Sequence, residues 1–183
     1  MGLAVVTRLL LATLLAAAAL GACAAPAKVP GAASDVPVDG PPPRFTIAPD
    51  DYHVPYAGTA EDGRRFFLSD ELFARETAYV GLFLWHADGT FDEVRADPAP
   101  RAVDVPPGQA APADADDLVA ARLAELGDYV LEPIEVEPFL TKVGRTRFGW
   151  KVGSYPSGQH FVSIVPGDFI VYYAPWDGLD YDT

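Results

Sequence analysis

The chain of 183 residues holds one cysteine, one methionine and three histidines, and 13 basic side chains stand against 26 acidic ones. A lone Cys23 leaves the folded part without an internal disulfide or a thiolate metal centre, so its stability must come from packing. The three histidines, His53, His86 and His160, do not stand at ligand spacing, and no HExxH pattern occurs; no metal is expected. The formal net charge of -13 sets the chain against phosphate backbones and excludes nucleic acid as a general partner. Glycine-rich phosphate loops, dinucleotide fingerprints and calcium loops are missing, so no cofactor is expected. Ser157 lies in Tyr155-Pro156-Ser157-Gly158, which is a turn and not the GxSxG elbow of a hydrolase.

Half of the residues are apolar, enough to bury a core. The first concentration of them is at the amino end. Arg8 precedes an uncharged run, Leu9 to Leu20, of the length of a signal h-region and too short for the roughly 20 residues of a membrane span. Leu20-Gly21-Ala22-Cys23 follows directly. This arrangement resembles the lipobox of bacterial lipoprotein precursors: a branched aliphatic residue, two small residues, then cysteine. The resemblance implies that residues 1–22 are a cleaved signal peptide and that Cys23 carries a diacylglycerol thioether, with its new amino group open to acylation. Two or more acyl chains, palmitate among them, hold a protein stably on a bilayer. The alternative is an ordinary secretory signal, for which the small residues around Cys23 also suffice. Residues 23–43, rich in Ala and Pro and without an aromatic, read as a semi-extended tether.

Aromatic residues begin at Phe45, and residues 44–183 read as a single globular domain of α+β class. The expected architecture is an antiparallel sheet of about five or six strands with one main helix packed on it. Residues 46–59, broken by Pro49 and Pro55, are expected to be irregular. A short strand is expected over 63–68 and a single helical turn over 69–75, since Ser69 precedes Asp70 and Glu71. Thr77 to Trp85 is apolar on both faces, the pattern of a central strand, and Asp88-Gly89 turns it into a second strand over 90–96. Residues 97–113 carry five prolines and read as a surface loop. Asp114 caps a helix to about Leu126, with Ala115, Val119, Leu123 and Leu126 as its apolar stripe and Gly127 ending it. Further strands follow: 134–141 interrupted by Pro138, 146–152 with Phe148, Trp150 and Val152 on one face, then 160–165 and 168–173 about a type II turn at Pro166-Gly167.

Two segments carry candidate recognition residues. Tyr173, Trp176, Asp177, Asp180 and Tyr181 interleave aromatics with carboxylates past the last strand, a pattern able to stack on a sugar ring or a cationic group. The alternative is that Trp176 closes the core and the aspartates form a solvated tail. Lys142, Arg145, Arg147 and Lys151 cluster about one hairpin against the acidic background. They suit anionic lipid or wall polymer, or else form a charged strand face that discourages aggregation.

The expected function is that of a membrane-anchored, extracytoplasmic lipoprotein at the periplasm or cell surface, whose domain binds an envelope component or a basic protein. The membrane itself is engaged through lipidated Cys23, on the cell membrane or an outer membrane. Catalysis is left undecided, with the residues pointing away from it. The alternative is an envelope hydrolase acting on cell wall or carbohydrate, for which only Asp168, Asp177 and Asp180 offer carboxylates.

Overall fold

Residues 40–99 and 114–183 are described by a computed structural model of the chain. The signal segment, Cys23, nearly all of the tether and residues 100–113 of the proline-rich loop lie outside the described residues.

The described strands begin where the sequence turns aromatic. Strand β1 (Phe45–Ile47) and β2 (Tyr56–Thr59) both come from the segment expected to be irregular. They are followed by β3 (Arg65–Ala74), β4 (Thr77–Trp85) and β5 (Phe91–Ala99). The helix α1 (Ala115–Ala124) comes next, then β6 (Val130–Leu131) and β7 (Ile134–Val136). The chain ends in β8 (Leu140–Val143), β9 (Thr146–Ser154), β10 (His160–Val165), β11 (Val171–Tyr172) and β12 (Tyr181–Asp182).

These strands form two five-stranded sheets, in the orders β5-β4-β3-β2-β6 and β12-β11-β10-β9-β8, with the pair β1-β7 beside them. Every pairing is antiparallel. The two larger sheets face one another. Phe67 and Phe83 of the first share one buried cluster with Phe148, Trp150 and Tyr172 of the second, and Phe45 of β1 wedges between. Ring centroids of 5.3 Å for Phe67–Trp150 and 5.2 Å for Phe45–Trp150 put these aromatics in tilted and edge contact. Burying each such ring stabilises the fold by roughly 1.5–3 kcal/mol.

The other face of the first sheet is buried too. Phe66, Leu68, Val80, Leu82 and Leu84 form a second cluster under α1, where Leu118, Val119 and Leu123 cover them and Leu126 is buried. Strand β4 is thus apolar on both faces because it separates two cores. Ion pairs fix the helix in place: Arg122 bonds Asp97 of β5 at 2.5 Å and Arg95 of β5 reaches Glu125 at 2.6 Å. Asp114 accepts the amide of Asp117 at 2.9 Å and caps the helix where the sequence placed its start. No described helix is long and apolar enough to cross a membrane.

This architecture overturns the expected α+β fold. Strand accounts for 48% of the described residues and helix for 8%, in three antiparallel sheets, so the protein is a β-sandwich with a short helix on one outer face. The helix is no second layer to a single sheet, since none of its own residues is fully buried. The expected helical turn at 69–75 is likewise strand. Between the pairs Ser69↔Gly81 and Leu72↔Tyr79, β3 advances three residues while β4 advances two, which makes a bulge. Ser69 Oγ does accept an amide, that of Glu71 at 3.1 Å, but it serves the bulge and not a helix start. Strand β5 continues through Pro98 to Ala99, which an edge position allows. At Pro138 the chain leaves β7 and enters β8 of another sheet. The reversal after β10 is wider than a type II turn: Val165–Pro166 is cis, and Ile164 donates to the carbonyl of Ile170 at 3.1 Å.

Candidate functional site

The carboxy-terminal residues singled out in the sequence divide between core and surface. Trp176 is 6% exposed and belongs to the inter-sheet core, with its carbonyl accepting the amide of Thr46 at 2.9 Å. Tyr181 turns inward as well. Its ring lies 5.5 Å from that of Tyr172, and its hydroxyl donates to Asp50 Oδ2. Burial first, and that hydrogen bond second, push the Tyr181 phenol up to about 12. Burial pushes the Asp50 carboxyl the other way from its neighbours, yet donors from Tyr181, Val54 and Tyr52 outweigh it and hold the group below the usual carboxylate range. Both residues thus tie the chain end to the segment before β2. Asp177 accepts the amide of Leu179 at 3.0 Å in an exposed turn, and Asp180 is exposed. Tyr173 and Tyr181 are both half-buried, and of the two only Tyr181 packs against the core. The Tyr173 ring stacks at 6.5 Å and 24° on that of Tyr155, and their hydroxyls lie 3.1 Å apart. That hydrogen bond is the main reason the Tyr173 phenol rises to about 12.

The histidines and the remaining carboxylate are held locally. His53 Nδ1 lies 2.6 Å from Glu71 Oε2, and its ring packs on Tyr52 and Phe169. His86 is exposed beside the β4–β5 turn, and His160 opens β10. Asp168 accepts from Ser163 Oγ at 2.9 Å. Among the described residues, no three His, Cys, Asp or Glu side chains gather so as to hold a metal ion.

The basic residues fall into two groups. Around the first sheet, three arginines are matched to carboxylates, Arg64 to Asp62, Asp92 and Glu93, Arg95 to Glu93 and Glu125, Arg122 to Asp97 and Glu125, whereas Arg65 donates to the carbonyl of Glu135 and makes no ion pair among the described residues. Arg95, chiefly through its hydrogen bond, holds the Glu93 carboxyl below its ordinary range. Arg75, Lys142, Arg145, Arg147 and Lys151 make no ion pair among the described residues.

All five lie on two hairpins, and three of them meet in one groove. Ala74 pairs with Thr77, so Arg75 and Glu76 form a two-residue loop between β3 and β4. Val143 pairs with Thr146, so Gly144 and Arg145 do the same between β8 and β9. The loops come from different sheets and sit side by side. A groove of about 550 Å³ runs between them, lined by Arg75, Arg145 and Arg147, with Tyr79, Val165 and Pro166 as its apolar part and Glu76 as its one carboxylate. Tyr79 Oη and Thr146 Oγ1, 3.2 Å apart, join the sheets at its floor. Three guanidinium forks around one space suit an oxyanion that accepts paired hydrogen bonds.

Sequence reading found Lys142, Arg145, Arg147 and Lys151 but missed Arg75, which is 70 positions away from Arg145 and reaches the groove only through sheet packing. Arg75 adopts φ +57°, a conformation that Gly or Asn takes at lower cost, so a cation occupies a place that turn chemistry alone would not assign to it.

The groove also has a defined place in the fold. Arg44, where the chain enters the domain, donates to the carbonyl of Asp88 in the β4–β5 turn and lies 3.3 Å from Glu137. Thr77 and Trp85 are the two ends of β4. Eight residue steps at about 3.3 Å separate the groove from the entering chain by roughly 27 Å. No family model, curated protein or solved structure matches the chain.

Proposed function

We propose that the protein is a lipid-anchored binding domain that holds a negatively charged component of the cell envelope in the groove of Arg75, Arg145 and Arg147. The observation that carries the reading is charge placement. In a chain of net charge -13, six cations among the described residues make no ion pair, and three of them, Arg75, Arg145 and Arg147, line this one groove, with Lys142 beside Arg147; Arg65, at the other end of the sheet, is held by the carbonyl of Glu135. An acidic protein gains nothing for its own folding by leaving arginines together and unmatched, because like charges repel.

The lipobox-like segment supports the location. Lipidation of Cys23 after removal of residues 1–22 tethers the domain outside the cytoplasmic membrane, and residues 23–43 space it from the headgroups.

The test is retention of the purified full chain on immobilised heparin, a sulfated polyanion, at low salt. The proposal expects retention despite the acidic net charge, release as salt screens the contacts, and loss of retention in an Arg75→Ala, Arg145→Ala, Arg147→Ala variant. Flow-through of the unaltered protein at low salt would overturn it.

A further inference from the structure

We infer that the ligand is an acidic polysaccharide in which charged and neutral sugars alternate, lying along the outer face of the second sheet with its acids on the arginines and its rings on Phe161, Tyr155 and Tyr173. This deepens the anionic-ligand proposal and rests on it.

The register of the second sheet settles which side chains share that face. Trp150 pairs with Ile164 and Val152 with Val162, and all four point into the core or its margin. The alternate pairs therefore point away from that core: Lys142 with Arg147, Lys151 with Ser163, Gly153 with Phe161, with Ser163 itself buried where it bonds Asp168. The helix lies on the outer face of the first sheet, not on this one.

From the groove the outward residues form a track. Arg147 and Lys142 stand at its start, and Lys151 follows on β9 with its ammonium 5.8 Å from the centroid of Phe161. Phe161 packs on Tyr155 at 4.8 Å, and Tyr155 stacks on Tyr173. Gly153 makes this possible, since a Cβ there would come within 2.3 Å of the Phe161 ring. Along the strand direction the cations come first and the aromatics after them, over roughly 26 Å from Arg147 to Tyr155.

The far end sets the ligand's charge spacing. Asp182 pairs with Val171 on the same face, and Asp180 receives the amide of Tyr173 on its carbonyl. A polymer with a negative charge on every unit, such as polyphosphate or single-stranded nucleic acid, would meet these carboxylates where it met the aromatics. A chain with neutral sugars between its acids can place a ring on Tyr173 and Tyr155 while its charges stay on the basic side. Aromatic faces stack on such rings without needing charge.

The experiment measures affinity of the full chain for four probes at low salt: hyaluronan oligosaccharides, in which glucuronate alternates with N-acetylglucosamine, polyphosphate, oligo-dT and dextran. Expected is tightest binding to the hyaluronan fragment, weakened about five-fold or more by Tyr155→Ala or Tyr173→Ala. Tyr173→Phe, which keeps the ring and loses the hydroxyl, should stay within about two-fold of the parent. Thermal melts of each variant separate loss of folding from loss of a stacking surface. Equal or tighter binding of polyphosphate or oligo-dT, unchanged in the tyrosine variants, would overturn the polysaccharide inference while leaving the anionic groove intact. Absence of salt-sensitive binding to every charged probe would overturn both.

Discussion

Tyr79 of β4 and Thr146 of β9 meet hydroxyl to hydroxyl at 3.2 Å, a bond between the two sheets beneath the three arginines of the groove. Tyr79 also sets its ring edge-on to Phe148 at 5.2 Å, so the groove floor is fixed by one polar and one apolar contact from the same side chain. Replacing Tyr79 by Phe keeps the second and removes the first. Chemical denaturation should show a loss of about 0.5–1.5 kcal/mol. Polyanion affinity should fall less than in Arg147→Ala, because the arginines remain.

Arg75 offers the opposite trade. At φ +57° it sits where glycine is at ease, so Arg75→Gly should leave stability unchanged or raise it by up to about 1 kcal/mol, while weakening binding. A variant that is as stable as the parent and binds as well would show that Arg75 does not touch the ligand.

Trp176 separates the two readings of the carboxy-terminal segment. With its ring in the inter-sheet core, Trp176→Ala should cost about 3–5 kcal/mol of stability. Any loss of binding should follow unfolding. Normal stability together with lost binding would return Trp176 to the surface, as a platform for a ligand.

The Asp50–Tyr181 contact predicts how stability varies with pH at both extremes. The folded carboxyl of Asp50 lies below its ordinary value, so its contribution is present above the unfolded pKa and is lost as pH falls through the folded one. The folded phenol of Tyr181 is raised to about 12, so its contribution is whole below about 10 and disappears as pH rises toward 12. Tyr181→Phe should shrink the alkaline fall in melting temperature, although Tyr172 and Tyr173, also raised, retain part of it. An alkaline limb identical to the parent's would contradict the assignment.

What was legible in the sequence was local. The Thr77–Trp85 strand and its Asp88-Gly89 turn, the cap at Asp114, and the alternation of Phe148 and Trp150 each depend on neighbours a few positions apart, and each stands in the fold. The second sheet was not legible as a separate layer. Strands β11 and β12 have two residues each, too few for a periodic signal, and β1 finds its partner β7 about 90 positions on. Ser69 shows how a correct local signal can mislead: its side chain does accept a backbone amide, but bulges use that bond as helices do. The cationic groove falls between these cases. Four of its basic neighbours lie on one hairpin and were visible together, whereas Arg75 joins them only because two sheets pack face to face.

The central claim, that an anionic ligand occupies the groove between the β3–β4 and β8–β9 loops, is tested most directly by amide hydrogen exchange of the full chain with and without heparin oligosaccharide. Binding there predicts slowed exchange over 74–77 and 142–147 and no change over 86–90, at the opposite pole. Protection centred on 86–90, with none at the two arginine loops, would contradict it.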